Sequence, residues 1–173
     1  MTPRRRKTTR LRRHGVVTVR NHQRRVRVSV ARVGATATRA LAAVGRPGVD
    51  VHISLVGDPT IRRLNGRYLG VRRATDVLAF NLESPGPSPL WGEVIVSVDT
   101  AARQAGRLGV SVALEVDLLV THGLLHLAGY DDHDPRQARR MHERARKILG
   151  ARARNGGGPA VPERLWTGLL DRS

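Results

Sequence analysis

The stretch Val112 to Leu127 is apolar on nearly every face, and a helix of that kind needs the rest of the chain packed around it. No segment reaches eighteen consecutive apolar residues, so this one reads as the buried centre of a domain and not as a membrane span. A length of 173 residues suits one domain with a proper core plus tails. Inside the apolar helix stand His122 and His126. Four apart, they lie one turn from each other on the same face, where both imidazoles can reach a single cation.

A lone histidine in such a helix reads as a hydrogen-bonded core residue. Two imidazoles buried there without partners leave unsatisfied polar groups, whereas one shared metal, with acceptors for the outer ring nitrogens, satisfies both. Gly129 can end the helix in a left-handed turn, and the chain then doubles back with Asp131, Asp132 and His133 available as further ligands. The chain has no cysteine, so histidine and carboxylate must carry any metal. Three protein ligands leave a position open for a water or substrate oxygen, the arrangement of catalytic zinc, and the expectation is one Zn2+ per chain.

Short β-branched runs at Val16 to Val19 and Val26 to Val30 place at least one strand near the start. Ala31 to Val44 has helical spacing and is stopped by Gly45 to Gly48; Val49 to Val56 alternates as a half-buried strand. Asp58 caps a helix with Pro59 in its first turn, running to about Tyr68. Asp76 to Phe80 and Glu93 to Val98 read as strands on either side of the loop Ser84 to Pro89. Helices follow at Thr100 to Leu108, Val112 to Leu127 and, capped by Asp134, Pro135 to Leu149. The fold class is α/β (α+β): a single-domain sandwich with a small mixed sheet packed by helices, and the metal site at the C-terminal end of a buried helix. Residues 1–15 form a disordered basic arm, 16–150 the domain and 151–173 a flexible tail. There Gly156 to Gly158 link to a segment placing Leu165, Trp166, Leu169 and Leu170 on one helical face.

The formal net charge of +17 is uneven. Residues 1–49 hold 14 Lys and Arg and no Asp or Glu, leaving 17 basic against 14 acidic residues elsewhere. Such a block attracts polyanions through counterion release, and nucleic acid is the commonest intracellular polyanion; the alternative for Arg4 to Arg13 is a solvated tail. No secretory signal follows the Arg-rich start, so the expected location is cytoplasmic, with no membrane partner.

The helix resembles the zinc-protease pattern in which Glu follows the first histidine as general base, but Gly123 stands at that position, so peptidase chemistry lacks its proton acceptor. The run His122, Gly123, Leu124, Leu125, His126, Leu127, Ala128, Gly129, Tyr130, Asp131 is instead similar to the signature of the YbeY family of bacterial metal-dependent endoribonucleases. Leu64-Asn65, then Thr75, Asp76, Val77, Leu78, Ala79, Phe80, and then Gly92, Glu93, Val94, Ile95, Val96, Ser97 carry the same resemblance in the same order, over roughly residues 16 to 150. It implies an α/β fold, three zinc-binding histidines and RNA as substrate, with roles in rRNA maturation (the 16S 3′ end) and ribosome quality control. The ribosome and ribosomal proteins are the implied partners.

Two departures stand out. The family's third histidine slot holds Asp132 here, and His133 follows one residue later; His133 is preferred as third ligand because neutral imidazole suits zinc and a loop absorbs one residue, with Asp132 the alternative. The slot of a family arginine that could hold phosphate is Leu69, so Arg67, Arg72 or Arg73 nearby are the candidates for that role. The expected reaction is metal-assisted cleavage of single-stranded RNA. Asp76 and Glu93 are the titratable candidates for a base, and aromatics, at 3% of residues, make stacking platforms scarce. A zinc hydrolase of peptides or amides, and a ribosome assembly factor with a structural metal, remain the other classes.

Overall fold

The computed structural model describes residues 15–82, 90–154, 161–163 and 165–166. Residues 1–14 of the basic arm, the loop Ser84 to Pro89, Gly156 to Gly158, Leu169 and Leu170 lie outside the described residues.

The first β-branched run forms β1 (Val17–Asn21). The second does not pair: Ser29 accepts a hydrogen bond from the Arg32 backbone N–H at 3.3 Å and starts α1 (Val30–Ala43). This helix crosses over to β2 (Asp50–Val56), parallel to β1. Then come α2 (Asp58–Leu69), β3 (Val77–Asn81), β4 (Leu90–Ser97), α3 (Val98–Leu108), α4 (Val112–Leu127) and α5 (Pro135–Arg154). The sheet order is β1-β2-β4-β3, with β3 the antiparallel strand on the edge.

Alternation along the strands decides which residues each face receives. Val51, Ile53 and Leu55 of β2 join Val94 and Val96 of β4 in the main core, with Val116, Leu119 and Leu124 of α4. Val56, Leu78 and Ile95 form a smaller cluster on the other face, where Ile61 and Leu64 of α2 meet them. Among the described residues one face is therefore roofed by helices and the other only partly.

α4 takes the range its pattern predicts and sits at the middle of the helical layer, against α1, α3, α5, β3 and β4. A buried charge fixes it laterally: Asp117, 1% exposed, pairs with Arg32 Nη2 at 2.7 Å and accepts from Thr36 Oγ1 at 3.0 Å, both on α1. Asp134 caps α5 as expected, accepting from the backbone N–H groups of Arg136 (2.8 Å) and Gln137 (3.1 Å).

Asp58 is not a cap. Gly57 holds that position, and the Asp58 carboxylate reaches across to α3, accepting from Ser97 Oγ at 2.6 Å and Thr100 Oγ1 at 2.7 Å and pairing with Arg103 at 2.8 Å. Burial pushes its pKa up, but these hydrogen bonds and the guanidinium outweigh that and hold it below the usual carboxylate value. The boundary expected at residue 150 falls inside α5, and Leu165 and Trp166 are buried in the main core. Among the described residues no single helix is long and apolar enough to cross a membrane; α3 and α4 together are, but they meet at 118° and α4 is buried.

Candidate metal centre

α4 carries His122 and His126 to the edge of the sheet beneath β3. Their Nε2 atoms lie 3.0 Å apart and the rings stand nearly perpendicular, at 86°. Gly129 turns the chain at φ +89°, and Tyr130 then faces back: its carbonyl accepts from His126 Nδ1 at 3.1 Å. That bond puts the proton of neutral His126 on Nδ1 and aims the Nε2 lone pair at the centre. Burial, and then the charge of His122, hold the His126 pKa below the ordinary imidazole value, which keeps the ring a ligand.

The same turn delivers Asp132. Its Oδ2 lies 3.3 Å from His122 Nε2 and 3.6 Å from His126 Nε2, and its pKa is lowered to about 2, chiefly by hydrogen bonding to His122. Separations of 3.0, 3.3 and 3.6 Å bracket the roughly 3.3 Å edge of a tetrahedron with metal–ligand bonds of about 2.0 Å. The donor set therefore fits a divalent ion with one vertex left open. His133 stands apart from the pair. Its side chain is 88% exposed and its Nδ1 contacts Asp131 Oδ1 at 2.5 Å, an ion pair that raises its pKa.

A narrow cavity of about 180 Å³ opens over the donors, walled by Asp76, Val77 and Ala79 of the β3 side and by Leu118, Leu119 and Gly123 of α4. Gly123 has a packing reason: a Cβ there would come within 2.6 Å of Val94 Cγ1 and 3.3 Å of Val77 Cγ2. A carboxylate side chain has no room beside His122. Asp76 is held at the cavity wall, its Oδ1 accepting from Val77 N at 2.9 Å and its Oδ2 from Gln104 Nε2 at 3.1 Å.

The profile of the family described as Endoribonuclease YbeY matches residues 18–152. The chain belongs to the YbeY family. An endoribonuclease YbeY of an Anaeromyxobacter species is 45% identical over 152 residues, covering 83% of this chain and 79% of the relative. One from Geobacter metallireducens is 38% identical over 146 residues, covering 81% and 97%. The solution structure of a Thermotoga maritima protein superposes with a TM-score of 0.55 at 22% identity over 86% of this chain and 99% of that one, a likeness of fold. YbeY proteins are metal-dependent nucleases that hydrolyse RNA phosphodiester bonds, and the His/Asp cluster here is able to hold the metal.

Within the YbeY pattern the structure places the other candidates unevenly. Asp76 reaches the metal cavity. Arg67 and Arg72 are exposed, and neither lines it; Arg67 lies over the ring of Tyr68, 5.6 Å from its centre. Leu69, in the arginine slot, is 59% exposed. Glu93 lies on the other face of the sheet, where its Oε1 accepts from Ser54 Oγ at 2.8 Å, which removes it from the metal chemistry. His142 of α5, which no spacing links to the motif, is close enough to feel the charges of His122 and Asp132. Its Nε2 and His122 Nδ1 are both buried with no hydrogen-bond partner among the described residues.

Proposed function

We propose that the chain is a zinc-dependent, single-strand-specific endoribonuclease of rRNA maturation at the 16S 3′ end and of ribosome quality control. It would act in the cytoplasm with the ribosome and its proteins as partners. The observation that carries the reading is the convergence of His122 Nε2, His126 Nε2 and Asp132 Oδ2 at tetrahedral spacing in a chain of the YbeY family. We assign the three as ligands of one Zn2+, with Asp132 in the third place because its oxygen already faces both nitrogens, while the His133 ring is turned to solvent.

Bound there, zinc supplies a Lewis acid for the scissile phosphate or an attacking water. The protein's own part is positioning and proton movement. Tyr130 fixes the His126 ring through Nδ1, and the short loop from Gly129 holds Asp132 in place. To Asp76, on the cavity wall and tethered by Val77 and Gln104, we assign the role of taking the proton of the nucleophile. The narrow cavity admits a phosphate group and leaves the bases outside it. Arg67, exposed in the last turn of α2, and Arg72, exposed just beyond it, hold the flanking backbone. Gly123 argues against peptide hydrolysis, since the carboxylate that reaction needs beside the first ligand is sterically excluded.

The test is chelator competition on protein made without a His-tag. We expect one zinc per chain, lost in the double variant His122→Ala with His126→Ala. Asp132→Ala lowers affinity on the order of 100-fold and His133→Ala by less than about threefold. The reverse ranking assigns the third place to His133, and a wild type without zinc overturns the site.

A further inference from the structure

We propose that the open face of the sheet carries a second RNA contact, a groove that takes one unpaired nucleobase beside the cleavage site. The inference rests on the reading of the chain as a nuclease acting on RNA. The groove, about 680 Å³, lies where, among the described residues, α2 leaves the face uncovered. Its floor is apolar, from Val56, Leu64 and Ile95. Its wall is an aromatic pair: the rings of Tyr68 and Phe80 meet at 5.2 Å and 59°, and Tyr68 remains 57% exposed.

Aromatics are few in this chain, yet the fold brings two of them together from α2 and β3 on one surface. A tilted pair with one ring half in solvent offers a face for base stacking. The polar groups are sorted in the way a base requires. Glu93 lines the groove with its Oε1 bound by Ser54, and its carboxylate is an acceptor for base N–H donors. A carboxylate there repels phosphate, so the backbone stays at the rim. Cationic or protonatable residues stand at that rim: Arg63 and His22, with Arg20 and His52 in the adjoining depression that shares Ser54 and Glu93. A floor for a base, an acceptor for its amino group and cations for its phosphates match a nucleotide better than a peptide or a lipid surface. Uracil presents a single N–H between two carbonyls, so guanine, with adjacent imino and amino donors, fits the carboxylate better.

The position relative to the metal adds an independent argument. β3 is the edge strand, and its alternate residues serve both cavities: Val77 and Ala79 line the metal site, and Phe80 lines the groove. A single strand laid over this edge presents a phosphodiester to one side and a neighbouring base to the other.

The experiment uses full-length protein stripped of metal, so that binding is read without cleavage, and a short unpaired RNA carrying one 6-thioguanosine as photocrosslinker. We expect crosslinks to Tyr68 or Phe80. Tyr68→Ala, checked for folding by circular dichroism, weakens binding about tenfold while Tyr68→Phe restores it, as loss of one stacked base requires. Glu93→Gln reduces the preference for guanine over uracil. Affinity unchanged in Tyr68→Ala, or crosslinks confined to residues 83–89 or to the metal site, overturns the groove and leaves the nuclease reading standing. Wild type with no affinity for RNA overturns that reading itself.

Discussion

Gly123 of α4 packs on Val94 of β4 so closely that a Cβ at Gly123 would sit 2.6 Å from Val94 Cγ1. The contact brings the helix that carries His122 and His126 against the sheet, and it explains in steric terms why a glycine stands where metallopeptidases place a base.

Gly123→Ala therefore overpacks the helix–sheet contact. Alanine gains about 1 kcal/mol of helix propensity, but forcing apart a stiff, buried valine costs about 1–3 kcal/mol. We expect a net loss of up to about 2 kcal/mol, read as a lower urea midpoint, together with weaker zinc binding because His122 is the adjacent residue. A midpoint above that of wild type contradicts the packing account.

Much of this was legible because the signals are local. The α4 range, the histidine pair on one face, the Asp134 cap and the Gly129 turn follow from spacing within a few residues. What could not be read depends on distant partners. Asp58 looks like a cap from its neighbours, yet Ser97, Thr100 and Arg103 claim its carboxylate. Tyr68 and Phe80 meet only because α2 folds over β3, and Asp117 finds Arg32 from 85 residues away. Leu165 and Trp166 look like tail residues until the core receives them. The choice between Asp132 and His133 turns on the path of the seven-residue loop between α4 and α5, which spacing alone leaves open.

Acid should weaken the metal-free protein through His142. Burial first, and the charge of His122 second, hold its pKa below 6.5. The unfolded chain therefore binds the proton more readily, so stability is full above 6.5 and falls as pH drops from there toward the lowered folded value. The urea midpoint of chelated wild type should fall between pH 7.5 and 5.5, and His142→Leu should flatten that fall. An equal slope in the variant removes His142 as a cause.

Deleting residues 2–13 removes seven cations (Arg4, Arg5, Arg6, Lys7, Arg10, Arg12 and Arg13) and almost no apolar side chain. The truncated protein should keep its thermal midpoint, bind RNA more weakly and show a shallower slope of log affinity against log salt. A slope identical to that of the full chain returns the arm to the role of a solubilising tail.

The central claim is that this donor set drives RNA cleavage, and the most direct measurement compares wild type with His126→Ala, purified in parallel, on an rRNA fragment with unpaired segments. Wild type should cut it, stop when chelated and recover with zinc, while His126→Ala stays inactive under every condition. Equal cleavage by the two proteins contradicts the account.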